Sequence, residues 1–90
     1  MKMFYFDNRK YGECYTVMAP NVKAAVKYVQ NRIKALHSAY RCEFKFGKGS
    51  IARYDMMTAK LSMKEPRYGK TLQFIVRVFE EGVVFETEHN

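Results

Sequence analysis

Ninety residues can build one small core but not two, so the chain is expected to form a single domain over residues 1–90. Its apolar share of 48% excludes a disordered chain, and no apolar run nears the roughly 18 residues needed to span a bilayer. Sixteen Lys and Arg against nine acids give +7; five of those acids lie in residues 1–79 with all sixteen cations (+11), and four glutamates give residues 80–90 a charge of −4. A basic body of this kind favours an anionic macromolecular partner. The plainer alternative is that the charge serves solubility.

The first residues, Met1-Lys2-Met3-Phe4-Tyr5-Phe6-Asp7, are too short an apolar stretch for a signal peptide, and Asp7 cuts it. A cytoplasmic location is therefore expected, with no membrane contact. Residues 2–6 read as a strand with Phe4 and Phe6 on one face and Met3 and Tyr5 on the other. Asp7 to Gly12 reads as a polar loop, and residues 13–19 as a second strand antiparallel to the first.

Asn21 is a good helix N-cap. After it, Val22, Ala25, Val26, Val29, Ile33 and Leu36 recur at helical spacing to near Ser38, forming one apolar stripe. Lys23, Lys27 and Lys34 fall on the opposite side. Residues 41–46 alternate, with Cys42, Phe44 and Phe46 inward and Arg41, Glu43 and Lys45 outward. Gly47-Lys48-Gly49-Ser50 reads as a tight turn.

Residues 51–64 are ambiguous. Thr58 to Lys64 alternates as a strand, with Ala59, Leu61 and Met63 on one face, while the stretch around Met56-Met57 fits a bulge or a short helix. Glu65 to Lys70 is a turn cluster, and Thr71 to Phe79 a strand with Leu72, Phe74, Val76 and Val78 on one face. Glu80-Glu81-Gly82 turns into a last strand over 83–87. The expected class is α+β: an antiparallel sheet of five to six strands with one helix packed on one face, in the order β-β-α-β-β-β-β or one strand fewer.

One sheet face is left without a helix. Arg41, Lys45, Lys60, Lys64 and Arg77 are expected there, with Ile75 and Phe79. Cations interleaved with rings suit phosphate contact and base stacking. The plainer reading is a solvated face of long cationic side chains. The turns repeat the theme. Arg9-Lys10-Tyr11-Gly12, Lys48 and Arg67-Tyr68-Gly69-Lys70 each present cations, and two of them place Tyr beside Gly. Arg offers a planar fork to phosphate or carboxylate, and Tyr an amphipathic contact.

Catalytic machinery is not evident. His37 near the helix end and His89 near the C-terminal end have no metal-ligand spacing, so no metal or cofactor is expected. Cys14 and Cys42 are expected to be buried or half-buried thiols; paired with His37, either would be only a chance dyad. Gly47 to Ser50 lacks the longer glycine frame of a phosphate-binding loop. No enzyme activity is expected.

A strand ends in Asp7-Asn8-Arg9-Lys10, Glu13-Cys14-Tyr15-Thr16-Val17-Met18-Ala19 follows, and a helix then carries Ala24-Ala25-Val26-Lys27. This third of the chain resembles small phage-encoded anti-CRISPR proteins that act on type I systems. The resemblance implies a non-catalytic inhibitor in the host cell. Its partner would be the host CRISPR-Cas surveillance complex, Cascade, or its recruited helicase-nuclease, and it would block target DNA binding or cleavage. Many such inhibitors are acidic DNA mimics, and the basic charge here departs from that pattern. The alternative is a basic phage regulator contacting DNA or RNA directly. Monomer and homodimer both remain open.

Overall fold

The structure, a computed structural model, describes residues 1–10, 12–39, 46–67 and 69–79. The elements are β1 (Lys2–Asn8), β2 (Glu13–Ala19), α1 (Val22–Ala39), β3 (Ile51–Asp55), β4 (Lys60–Lys64) and β5 (Thr71–Phe79). They form an antiparallel sheet in the order β2-β1-β5-β4-β3, with the helix across one face. This is the expected α+β architecture, with five strands among the described residues. The strands expected at 41–46 and 83–87 lie outside the described residues, except that Phe46 is buried and belongs to no strand.

The helix begins where the cap predicts. Asn21 Oδ1 accepts the Ala24 N–H at 2.9 Å, and the Asn21 carbonyl accepts the Ala25 N–H at 3.2 Å. Ala25, Val29 and Ile33 are wholly buried, and Val22, Val26 and Leu36 are half-buried beside them. All but Leu36 share one core with Phe4, Phe6, Val17, Leu61, Met63, Leu72, Phe74 and Val76 from the sheet. Burying each large side chain contributes about 1.5–3 kcal/mol.

Two expectations of local structure need correction. Asp7 and Asn8 belong to β1 and are buried, where a polar loop was expected. The register explains this: Asp7 pairs with Cys14 on one side and Ile75 on the other, and Asn8 pairs with Glu13. Neither a short helix nor an extended strand occupies 56–59. Residues 51–64 form a hairpin instead, in which Asp55 pairs with Lys60 and a four-residue loop carries Met56, Met57, Thr58 and Ala59. Asp55 Oδ1 accepts the Met57 N–H at 2.9 Å and that of Thr58 at 3.4 Å, and Ala59 completes the turn with φ +52°. Those N–H donors, Met57 first, hold the Asp55 carboxyl below its usual range.

Cys14 also departs from expectation, being exposed. It lies on the sheet face away from the helix, where its Sγ donates to Asp7 Oδ1 at 3.4 Å. Among the described residues, no helix is long and apolar enough to cross a membrane.

Candidate binding surface

The strand order decides where the cations go. On the face away from the helix, cross-strand pairing sets Tyr5 opposite Arg77, Lys60 opposite Ile75, Arg53 opposite Ser62 and Lys64 opposite Thr71. Arg77 is thus the diagonal neighbour of Lys60. Lys60 is diagonal to Arg53, and Arg53 to Lys64. Diagonal neighbours lie about 7–8 Å apart, so the four cations make one stepped track over β5, β4 and β3. All four are exposed. Among the described residues, two acids lie beside the track: Asp55 opposite Lys60, its carboxylate held by its own turn, and Asp7 diagonal to Arg77, its carboxylate bonded by Arg9 and Cys14. Ile75 and Phe79 share this face, as expected.

A cleft continues the track. β1 stops at Asn8, whereas β5 starts at Thr71 and meets β1 only from Ile75 onward. The Thr71–Phe74 stretch therefore has β4 on one side and no described strand on the other. Asn8 Nδ2 donates to the Gln73 carbonyl at 2.8 Å and so satisfies an acceptor that the ladder leaves open. The resulting cleft, about 480 Å³, is lined by Asn8, Arg9, Lys10, Lys60, Thr71 and Gln73 among others. Arg9 Nε donates to Asp7 Oδ2 at 3.2 Å, which anchors an otherwise exposed guanidinium at the cleft mouth.

The cationic turns gather at the same end of the sheet. The β4–β5 turn is tied by the Glu65 N–H to the Lys70 carbonyl at 2.8 Å and the Gly69 N–H to the Glu65 carbonyl at 3.0 Å. Glu65 Oε1 also accepts the Arg67 N–H at 2.6 Å. Arg67 and Lys70 are exposed on it. Lys48 is exposed on the neighbouring 47–50 turn, where a Cβ added to Gly49 would sit 3.9 Å from Pro66. That turn presses on the helix end so closely that a Cβ at Gly47 would lie 2.6 Å from Ser38 Oγ.

Of the residues expected to meet a partner, Lys60, Lys64 and Arg77 fall on the track, Arg9 and Lys10 line the cleft, and Lys48, Arg67 and Lys70 rim the same end. Arg41, Lys45, Tyr11 and Tyr68 lie outside the described residues. Arg53 went unnoticed in the sequence, because its strand fell within the ambiguous 51–64 stretch. Alternation around Ala52 and Tyr54, both half-buried, was the available signal.

A second polar cluster lies between the helix end and the start of β2. His37 Nδ1 accepts the Phe46 N–H at 3.4 Å, which leaves Nε2 to carry the proton toward Glu13 Oε1 at 2.9 Å. Tyr15 donates to the same oxygen at 2.6 Å. Burial first, then that bond, pushes the Tyr15 hydroxyl well above the usual tyrosine range. Cys14 and His37 lie on opposite sides of the sheet, so these two do not form a dyad. Among the described residues, no three of His, Cys, Asp or Glu converge as metal ligands. Tyr5 is also shifted upward, chiefly by its hydrogen bond with Cys14, against a lowering influence from Arg77.

No known protein family, curated protein or solved structure gives a significant match to this chain.

Proposed function

We propose that this protein is a non-catalytic phage inhibitor that binds a host CRISPR-Cas surveillance complex, or its nuclease, and so blocks DNA targeting. The observation that supports a binding role is the continuous track Arg77–Lys60–Arg53–Lys64, joined at Lys60 to the Arg9 and Lys10 cleft. A sheet face with ordered cations offers a large partner many charge-assisted contacts. The resemblance of the first third of the chain to anti-CRISPR proteins supports the identity of the partner. The basic charge favours a contact with acidic protein surface, guide RNA or target DNA held by the complex.

A second reading is direct binding of nucleic acid, and one observation favours it. Tyr5 sits opposite Arg77 on adjacent central strands, which puts a ring beside a guanidinium at the end of a cation track. That pairing suits a base stacked next to its phosphate.

The two readings separate in a salt titration with random single-stranded and duplex DNA, run beside capture of a purified surveillance complex by tagged protein. Engagement of all six cations of track and cleft with phosphates predicts a loss on the order of 10³-fold between about 50 and 200 mM salt. Capture of the complex with little DNA affinity at low salt supports the inhibitor. Steep salt-dependent DNA binding without capture supports the second reading and overturns the first.

A further inference from the structure

The sheet has two edges, and they are protected unequally. The β3 edge is five residues long and carries Arg53 and Asp55. The β2 edge is seven residues long, and from Cys14 to Ala19 it holds no charge and no proline. Its pairing with β1 runs unbroken from Lys2↔Ala19 to Asn8↔Glu13, so no bulge twists it away. Natural sheets blunt exposed edges with such devices, because unpaired N–H and C=O groups recruit further strands. Among the described residues, nothing pairs with the outer side of β2.

A groove runs beside that edge. It has a volume of about 420 Å³ and lies between β2 and α1, floored by Val17 and Ala19 and walled by Ala24 and Tyr28. The short Ala24 side chain leaves room, one turn before Tyr28. Tyr28 is 59% exposed and Met18 57%, apolar surface of the kind that an added strand covers. The helix above the groove is uniformly basic. It carries Lys23, Lys27, Arg32 and Lys34 and no acid. Lys27 precedes Tyr28 and Arg32 follows it by one turn, while Lys23 and Lys34 lie further round the helix. Arg32 acts electrostatically on Tyr15, next to Thr16 of the groove.

We propose that β2 and this groove bind an extended, acidic segment of a partner protein, which adds to the sheet beside β2. The backbone of the segment supplies the hydrogen bonds, alternate apolar side chains fill the groove beside Ala24 and Tyr28, and acidic side chains meet Lys27 and Arg32. A second copy of this chain is the wrong occupant. Twofold pairing of β2 with itself sets two acid-free cationic helices side by side, and like charges repel. This interface is separate from the cation track and holds whether the track meets protein or nucleic acid.

The probe is a fluorescent peptide of about eight residues, a typical strand or slightly longer, alternating glutamate with valine. It is titrated into the full chain and followed by anisotropy. Methylation of alternate backbone nitrogens, which keeps the side chains and removes donors, is expected to weaken binding about tenfold or more. Lysine in place of glutamate is expected to do the same, as is Ala24→Trp, which fills the groove at a half-buried position and is checked for unchanged melting. Arg53→Glu with Lys60→Glu is expected to leave peptide affinity within about twofold, since those groups lie on the other face. Equal binding of the methylated peptide, indifference to Ala24→Trp, or a dimer that Met18→Lys dissociates would each overturn the proposal. None of these outcomes bears on DNA or complex binding through the track.

Discussion

Asn8 shows how a residue can be placed by a partner 65 positions away. Polar composition marks Asp7 and Asn8 as loop, yet both are buried, because β5 supplies Ile75 for pairing and the Gln73 carbonyl for a side-chain bond. Asn8→Ala leaves that carbonyl unsatisfied beside the cleft. The expected cost is about 1–3 kcal/mol in urea unfolding, with binding through the track reduced as well. Unchanged stability would mean that the bond is not made. Tyr15 gives a pH test. Its hydroxyl is held neutral in the fold, whereas the unfolded chain ionises near the ordinary value of 10.0. The folded state therefore binds more protons above that value, and stability falls as pH rises through it. The advantage of the parent over Tyr15→Phe in unfolding free energy is expected to shrink between about pH 9 and 11. A constant gap would remove Tyr15 as the titrating group.

At the level of elements, the helix was legible because two independent signals agree: a capping Asn and an apolar stripe that the structure buries at Ala25, Val29 and Ile33. β1, β2 and β5 were legible from alternation. So was β4, whose Leu61 and Met63 alternate inward, but the hairpin that joins it to β3 was not, because its loop carries none of the usual glycine, proline or asparagine signals after Asp55. An Asp side chain closes it, and an alanine takes the left-handed conformation at φ +52°. Left-handed backbone costs a non-glycine residue about 1–2 kcal/mol, and glycine's extra freedom in the unfolded chain returns about 0.4–1 of it. Ala59→Gly is therefore expected to raise stability by up to about 1 kcal/mol, read as a higher urea midpoint at constant slope. A lower midpoint would show that the alanine methyl makes contacts outweighing its strain.

Across the whole molecule, the sequence carries the amount of charge and the alternation carries its face. Strand order, which neither reveals, turns scattered cations into a track. Arg53 and Arg77 are 24 positions apart in sequence and two strands apart in the sheet, joined only because β4 places Lys60 between them. The same order brings the Lys48 turn, the Arg67 and Lys70 turn and the Arg9 and Lys10 turn to one end. Net charge alone cannot distinguish this arrangement from an evenly basic surface, but position can. The most direct test compares two double variants with the same loss of charge, Arg53→Gln with Lys60→Gln on the track and Lys2→Gln with Lys34→Gln away from it. Affinity is measured for the captured complex, or for single-stranded DNA if that is what binds. The track pair is expected to lose about tenfold or more and the distant pair less than about threefold. Equal losses would contradict the account, since binding would then follow total charge and not the track.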